Sequence, residues 1–255
     1  MNPWIIVVIV VVVVAVVGAL IAAVFLAGFS PFFNRVVGSG NVESRTQTHT
    51  DFTAVSASSA FSVDITQSSS YLVGITLDDN LFPHLEVFKT GGTLTIRLQS
   101  GFSYSSAPGR GLTIQAELSM PDLEEVHLSE ASSVDVDGFN VSHSFAATLS
   151  GASRLRGSYE TAGDVSFTVS GASTIELTGV GGDLTAVVSG ASRLELRNFP
   201  VHNANVDISG ASQGTVNLDG RLDANASGAS TLLYLGSPTL GDIRTSGAST
   251  IGPTT

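Results

Sequence analysis

Ser170-Gly171-Ala172-Ser173 is one copy of a short motif that recurs at nearly constant spacing through the second half of the chain. The other copies begin at Ser129, as Ser-Glu-Ala-Ser, and at Ser150, Ser189, Ser209, Ser227 and Ser246. Successive copies start 21, 20, 19, 20, 18 and 19 residues apart. This period is too short for a pair of helices and is typical of one coil of a β-solenoid. The sequence therefore predicts an all-β fold built on a parallel β-solenoid, with about 18 to 21 residues per coil.

Apolar and polar residues alternate on both sides of each motif, as in a strand with one buried face. In the coil that contains Ser170, the pattern predicts inward side chains at Phe167 and Val169 before the motif, and at Ile175 and Leu177 after it. The same offsets hold apolar or small residues in the other coils. Each coil is therefore predicted to contain two short strands.

The motif itself breaks the alternation, which predicts a corner between the two strands. Glycine tolerates positive φ angles, and serine can bond nearby backbone, so these residue types suit a repeated bend. We expect the alanines, from Ala131 onward, to stack in one inward column where nothing larger fits. The predicted corner residues are Gly151, Ala152, Gly171, Ala172, Gly190, Ala191, Gly210, Ala211, Gly228, Ala229, Gly247 and Ala248.

The composition narrows the class of protein. The chain has no cysteine, which excludes disulfides and thiolate metal sites. It carries 11 basic and 22 acidic residues, a formal net charge of -11. Nucleic acid is therefore not an expected partner, because such a partner requires a positive surface.

An apolar segment near the N-terminus predicts a membrane anchor. Ile5–Ala27 contains 23 consecutive uncharged residues, 17 of them Val, Ile, Leu or Phe. As a helix it would span about 35 Å, enough to cross a hydrocarbon core of roughly 30 Å. The alternative is a cleaved signal peptide, but the apolar run is long and no basic residue precedes it. The basic residues that follow, Arg35 and Arg45, are too few to define the topology.

The predicted organisation is a short flank at 1–4, a transmembrane helix at 5–27 and a juxtamembrane linker at 28–41 with a flexible joint at Gly38–Asn41. An N-terminal β section at 42–128 is expected to continue into the repeat solenoid at 129–255 and to cover its first edge, which would otherwise invite strand addition. Its strand-like segments lack the Ser-Gly-Ala-Ser corner.

Several short motifs, taken in order, resemble the head GIN domain family of “putative autotransporter adhesins”. They are Gly38–Val42, Asp79-Asn80-Leu81, Pro121-Asp122-Leu123 and the tandem corners, and the resemblance covers about residues 36 to 251. It implies a β-helix-like fold, an exported bacterial protein and an adhesive role. It supplies no catalytic residues.

Candidates for chemistry are sparse. The five histidines, His49, His84, His127, His143 and His202, show no paired ligand spacing, so neither a metal nor a cofactor is expected. Glu176 and Glu195 would stack on adjacent coils near the separation of a glycosidase carboxylate pair. We favour instead a solvated charge ladder with Arg154, Arg156 and Arg193, because an exposed flat face does not raise a carboxylate pKa.

Three functions follow as hypotheses. The first is a non-catalytic, single-pass membrane protein whose solenoid lies outside the cytoplasm and binds an unknown protein or glycan. The second is a scaffold that self-associates through the solenoid ends. The third is a polysaccharide-active enzyme that uses Glu176 or Glu195.

Overall fold

The computed structural model describes residues 34–254. The predicted transmembrane helix at Ile5–Ala27 lies outside this range. Among residues 34–254, no helix is both long and apolar enough to cross a membrane. The described chain forms two compact units, one of residues 34–36 and 100–105 and the other of residues 37–99 and 106–254.

The described chain is almost entirely β-structure. Apart from one 3-10 helix, Asp79–His84, its regular elements are strands. They are β1 (Asn34–Val37), β2 (Val42–Gln47), β3 (Ala54–Ala57), β4 (Ser62–Gln67), β5 (Leu72–Asp78), β6 (Leu85–Thr90), β7 (Thr93–Leu98), β8 (Phe102–Ser105), β9 (Ile114–Met120), β10 (Glu125–Leu128), β11 (Ser133–Val141), β12 (Phe145–Leu149), β13 (Arg154–Thr161), β14 (Val165–Val169), β15 (Thr174–Val180), β16 (Leu184–Val188), β17 (Arg193–Val201), β18 (Ala204–Ile208), β19 (Gln213–Leu218), β20 (Arg221–Ala226), β21 (Thr231–Leu235), β22 (Thr239–Thr245) and β23 (Thr250–Pro253).

The strands of the larger unit form two long sheets. One has ten strands in the order β22-β20-β18-β16-β14-β12-β10-β3-β7-β6, and the other has eleven in the order β2-β5-β9-β4-β11-β13-β15-β17-β19-β21-β23. From β10 onward, successive strands alternate between the sheets, and each pairs in parallel with the strand one coil later. This arrangement confirms the predicted parallel β-solenoid. β1 and β8 form a separate two-stranded sheet.

The spatial order of the first coils differs from the chain order. β3 pairs with β10 on one side and with β7 on the other, while β4 lies between β9 and β11. The coil made of β3 and β4 is therefore inserted between strands that come later in the sequence. Antiparallel strands lie at this end of each sheet, with β6 against β7 and β2 against β5. As expected, the N-terminal section covers the first edge of the solenoid.

This inserted coil contains a corner that the sequence analysis did not identify. Ser59 and Ala60 have φ angles of 61° and 60°, close to the 53° and 65° of Glu130 and Ala131 in the next coil. The left-handed bend here forms without glycine. The boundary predicted at 128/129, between the N-terminal β section and the repeat solenoid, falls between β10 and β11, which are the two strands of one coil.

The interior follows the predicted alternation. In the coil around Ser170, Phe167, Val169, Ile175 and Leu177 are each no more than 1% exposed. Each packs on the residue in register one coil away, as Phe167 does on Ala186. A single coil is only one strand thick in each sheet and cannot bury these side chains alone, so stacking of the coils completes the core.

At the corners, the prediction of an inward alanine column is wrong. Ala172 and its equivalents are exposed, whereas the second serine of each motif except the last is buried, and Ser173 is 0% exposed. The preceding glycine has a positive φ, 76° at Gly171, which turns the chain so that alanine faces solvent and serine faces the interior. The Ala172 N–H donates to the Gly151 carbonyl at 2.8 Å, and the Ser173 N–H donates to the Ser192 hydroxyl at 3.4 Å.

Gly38–Asn41 is not the flexible joint expected from the sequence. The Ser39 N–H donates to Asn80 Oδ1 at 2.9 Å, and the Gly40 N–H donates to the buried carboxylate of Asp78 at 3.1 Å. Two of the motifs that carry the family resemblance therefore contact each other.

Candidate ligand-binding groove

An open groove of about 810 Å³ crosses the first strands of the ten-stranded sheet. Its floor is one row of residues that lie in register across six strands, all partly or fully exposed except Ala54: Thr93, Ala54, Glu125, Ala146, Ser166 and Thr185. Five interstrand steps of about 4.8 Å make this row roughly 24 Å long. The groove therefore suits an extended ligand that lies across the coils.

The outward residues of this row are small or polar for a local reason. Each strand places alternate side chains inside, so Ala147 and Phe167 enter the core while Ala146 and Ser166 face out. No large apolar side chain is needed on this face, and those in the groove lining, Phe145 and Val165, are each 1% exposed.

The turns that precede these strands form the wall of the groove and carry most of its charge. Glu124, His143 and Asp164 line this side, and Glu125 adds a further carboxylate on the floor. Glu125 lies 3.0 Å from His127 Nε2. The groove thus presents three carboxylates, which favour a neutral or cationic ligand over a polyanion.

A ladder of polar side chains stiffens the same turns. Asp164 accepts the Asp183 N–H at 3.0 Å, and Asp183 in turn accepts the Asn203 N–H at 3.0 Å. Bonds from the Asn203 side chain, and then from its backbone, lower the pKa of Asp183. The carboxylate of Asp164 is therefore held in place by the coil above it.

A cluster of three possible ligating side chains lies at the groove wall. One atom each from Asp122, Glu124 and His143 lies within 4.8 Å of the other two. Asp122 and His143 are 21 residues apart, one coil, and His143 Nε2 is in hydrogen-bond contact with the Asp122 carboxylate. Stacking of adjacent coils therefore brings these residues together.

Hydrogen bonds fix the orientation of the cluster. His143 Nδ1 lies 2.9 Å from the Ser144 carbonyl oxygen, and the Thr53 hydroxyl donates to Glu124 Oε2 at 3.0 Å. Burial of His143 opposes protonation, but the bonds to Ser144 and Asp122 and the nearby carboxylates outweigh it and raise the pKa of this histidine.

The buried residue behind this wall is Tyr159. Its ring stacks between Phe139 and Phe145, with centroid distances of 5.7 and 4.1 Å. Its hydroxyl donates to the Leu123 carbonyl at 2.5 Å. Burial, followed by the charges of the nearby carboxylates, raises the pKa of Tyr159.

The carboxylates singled out from the sequence lie elsewhere, on the outer face of the eleven-stranded sheet. Glu176 and Glu195 are in register on β15 and β17. On the neighbouring coils Arg156 forms an ion pair with Asp135, and Arg193 bonds Gln213. Arg154 likewise lies in register with Thr174 on this face.

Of the five histidines, only His143 belongs to a group of three possible metal ligands in residues 34–254. Sequence reasoning missed this group because it looked for ligands at helical or loop spacing. The available signal was the solenoid period itself, since residues one coil apart become lateral neighbours.

Comparison with known proteins adds a family and a set of related folds. The family described as “Putative auto-transporter adhesin, head GIN domain” matches residues 51–238. No curated protein matches the chain.

Several solved structures share the fold. A crystal structure described as a “putative adhesin” from Bacteroides fragilis is 16% identical with a TM-score of 0.75, and the match covers 86% of this chain and 100% of the other. A “putative adhesin” from Parabacteroides merdae is 17% identical with a TM-score of 0.63, and the match covers 87% and 100% of the two chains. A “Putative lipid binding protein” from Parabacteroides distasonis is 20% identical with a TM-score of 0.66 and the same coverage.

Proposed function

This chain belongs to the “Putative auto-transporter adhesin, head GIN domain” family, and from that premise we propose that it is a non-catalytic binding protein that attaches to a glycan. The groove across the ten-stranded sheet is the binding surface. The observation that carries this proposal is the single in-register row of small and polar side chains that forms its floor.

The chemistry of the groove favours a neutral polysaccharide over a protein ligand. Hydroxyl groups of Ser166 and Thr185, with the carboxylates of Glu125 and Asp164, are suitable partners for sugar hydroxyls. Protein interfaces depend on exposed aromatic and large apolar anchors, and the large apolar side chains lining this groove, Phe145 and Val165, are buried. The acidic wall would repel a polyanionic glycan.

We further propose that Ile5–Ala27 holds the protein in a membrane as a single-pass anchor, with the solenoid outside the cytoplasm. The length and apolar composition of this segment support insertion, and the family supports an exposed location. Deletion of residues 5–27 should release the protein from the membrane fraction. Protease treatment of intact cells should remove a C-terminal tag, and survival of the tag until the membrane is permeabilised would contradict the proposed orientation.

We assign no catalytic role to Glu176 and Glu195. Both lie on the outer sheet face, where Arg197 approaches Glu195 at 3.8 Å. Substitution of either residue by glutamine should leave glycan binding unchanged. If the wild type cleaves a glycan and either variant does not, the protein is an enzyme instead.

Self-association is the second candidate. Within residues 34–254, β22 and β23 are edge strands, and Leu240 on β22 is 51% exposed. Such an edge can pair with a strand of a second copy. Sedimentation of the detergent-solubilised chain over a concentration series tests this, because a constant monomer mass would exclude it.

The groove is tested by binding to immobilised neutral polysaccharides. Ser166→Arg places a long charged side chain within the row and should reduce binding at least tenfold. The matched control is Asn225→Arg, which introduces the same side chain at an exposed position of β20 in the same sheet, outside the groove. Equal polysaccharide binding by the two variants would contradict the proposal. So would a wild-type protein that binds proteins but no polysaccharide.

A further inference from the structure

We propose that Asp122, Glu124 and His143 form a binding site for a divalent transition-metal ion, with Zn²⁺ as its representative, at the wall of the groove. The site is independent of the glycan proposal, because it rests on the ligating atoms alone.

The convergence of the three side chains is the first support. Asp122 and Glu124 enter from the segment before β10, and His143 enters from the equivalent turn one coil later. All three ligating atoms lie within 4.8 Å of one another. In a tetrahedral zinc site with bonds of about 2.0 to 2.2 Å, ligand atoms are roughly 3.3 Å apart. His143 Nε2 and the Asp122 carboxylate, which are in direct contact, must separate to admit the ion, and the partial exposure of these side chains, 30% and 36%, leaves room for that rotation.

The orientation of the imidazole is the second support, and it is separate from the carboxylates. The Ser144 carbonyl oxygen can only accept a hydrogen bond, so Nδ1 of His143 carries the proton that is donated to it. This leaves Nε2 directed at the two carboxylates. Nε2 is therefore the ring nitrogen that is available to bind a cation beside the two carboxylates. Backbone bonding through the other ring nitrogen is also the arrangement that orients histidine ligands in metal sites.

The third side chain completes a set of ligands that suits a metal ion. Glu124 adds a second carboxylate to the pair of His143 and Asp122. The Thr53 hydroxyl holds one oxygen of Glu124, as an outer partner does for a ligating carboxylate. Imidazole with two carboxylates suits Zn²⁺ and similar ions better than Ca²⁺, which prefers oxygen ligands throughout.

Three protein ligands leave a further coordination position open. Glu124 and His143 both line the groove, so this position is accessible from it. The structure also contains a natural comparison. His202 lies 3.0 Å from Asp219, but within the described residues this pair belongs to no group of three ligands.

The test is calorimetric titration of ZnCl₂ into the full chain in detergent micelles, after removal of metal with a chelator and with an affinity tag that lacks histidine. We expect one saturable site. His143→Gln, Asp122→Asn and Glu124→Gln should each weaken binding at least tenfold, whereas His202→Gln should leave it unchanged. Circular dichroism establishes that each variant retains the β-fold.

A second measurement separates the metal from the proton. Nitrogen-15 NMR of the imidazoles should show a Zn²⁺-dependent shift of His143 Nε2 that saturates at one equivalent, with no comparable change at His202. A protonated His143 that does not respond to Zn²⁺ would overturn the proposal and identify a simple ion pair. Absence of a saturable Zn²⁺ site would also overturn the proposal. So would an equal loss of Zn²⁺ affinity in His143→Gln and His202→Gln. Because the probe is the metal alone, neither result bears on glycan binding.

Discussion

Replacement of Gly190 by alanine should test whether close stacking of the corners holds the solenoid together. Gly190 has a φ of 79°, and a Cβ atom built there would lie 2.4 Å from the carbonyl oxygen of Gly171 in the preceding coil. The same oxygen accepts the Ala191 N–H at 2.7 Å. The added methyl group must therefore displace backbone that takes part in the hydrogen bonding between coils.

Gly138 provides a matched control for the backbone conformation. Its φ is 77°, but no atom lies within 4 Å of the added Cβ. In both substitutions, alanine in a left-handed backbone conformation costs about 1 to 2 kcal/mol of stability. Alanine also restricts the unfolded chain more than glycine does, which offsets about 0.4 to 1 kcal/mol of this cost. Only Gly190→Ala adds overpacking of about 1 to 3 kcal/mol.

Urea unfolding followed by circular dichroism measures the difference. With a slope on the order of 3 kcal/mol per M, Gly190→Ala should unfold about 0.3 to 1 M below Gly138→Ala. Hydrogen exchange gives a local readout, because the Ala191 amide should lose protection only in Gly190→Ala. Equal midpoints for the two variants, with Ala191 still protected, would refute the conclusion that the corners stack too tightly for a side chain.

Other changes separate the inward and outward sides of the fold. Ser173→Leu should lower the free energy of unfolding by about 1 to 3 kcal/mol through overpacking. Ala172→Leu, on the exposed side of the same corner, should change it by less than about 0.5 kcal/mol. A lower urea midpoint for Ala172→Leu than for Ser173→Leu would contradict the corrected orientation. Tyr159→Phe should cost about 1 kcal/mol at neutral pH, because the Leu123 carbonyl loses its donor. The folded state keeps the Tyr159 proton to higher pH than the unfolded state does, so wild-type stability should fall as the pH rises above about 10. The difference in the free energy of unfolding between pH 8 and pH 11 should therefore be smaller in the Phe variant than in the wild type. Arg156→Ala should be nearly neutral, since its ion pair with Asp135 is exposed, and a large loss of stability would contradict this.

Most of the regular solenoid was predictable because it depends on local rules. The alternation of side chains in a strand has a period of two, so the inward residues around Ser170 follow directly from the apolar pattern. The register of Glu176 with Glu195 was predictable for a similar reason, since parallel coils of nearly constant length align equivalent positions.

The corner shows where this reasoning fails. The direction of a side chain after a left-handed glycine depends on the backbone angles of the turn, and composition does not determine them. Alanine is small and apolar, so it was assigned to the interior, whereas Ser173 occupies that place and its hydroxyl accepts the Ser153 N–H at 3.3 Å. The corner at Ser59 and Ala60 was missed because it has neither the glycine nor the second serine of the motif, since Phe61 occupies the place of that serine.

By itself, the sequence determined the class of fold, the length of a coil and the faces of the strands, because these properties depend on residues close together in the chain. Only the tertiary structure decided that β3 and β4 lie between later strands, since pairing between sheets is set by packing over the whole unit. It also placed His143 beside Asp122 and aligned the row that forms the groove. These neighbours are separated by one or more coils along the chain and become adjacent only when the coils stack.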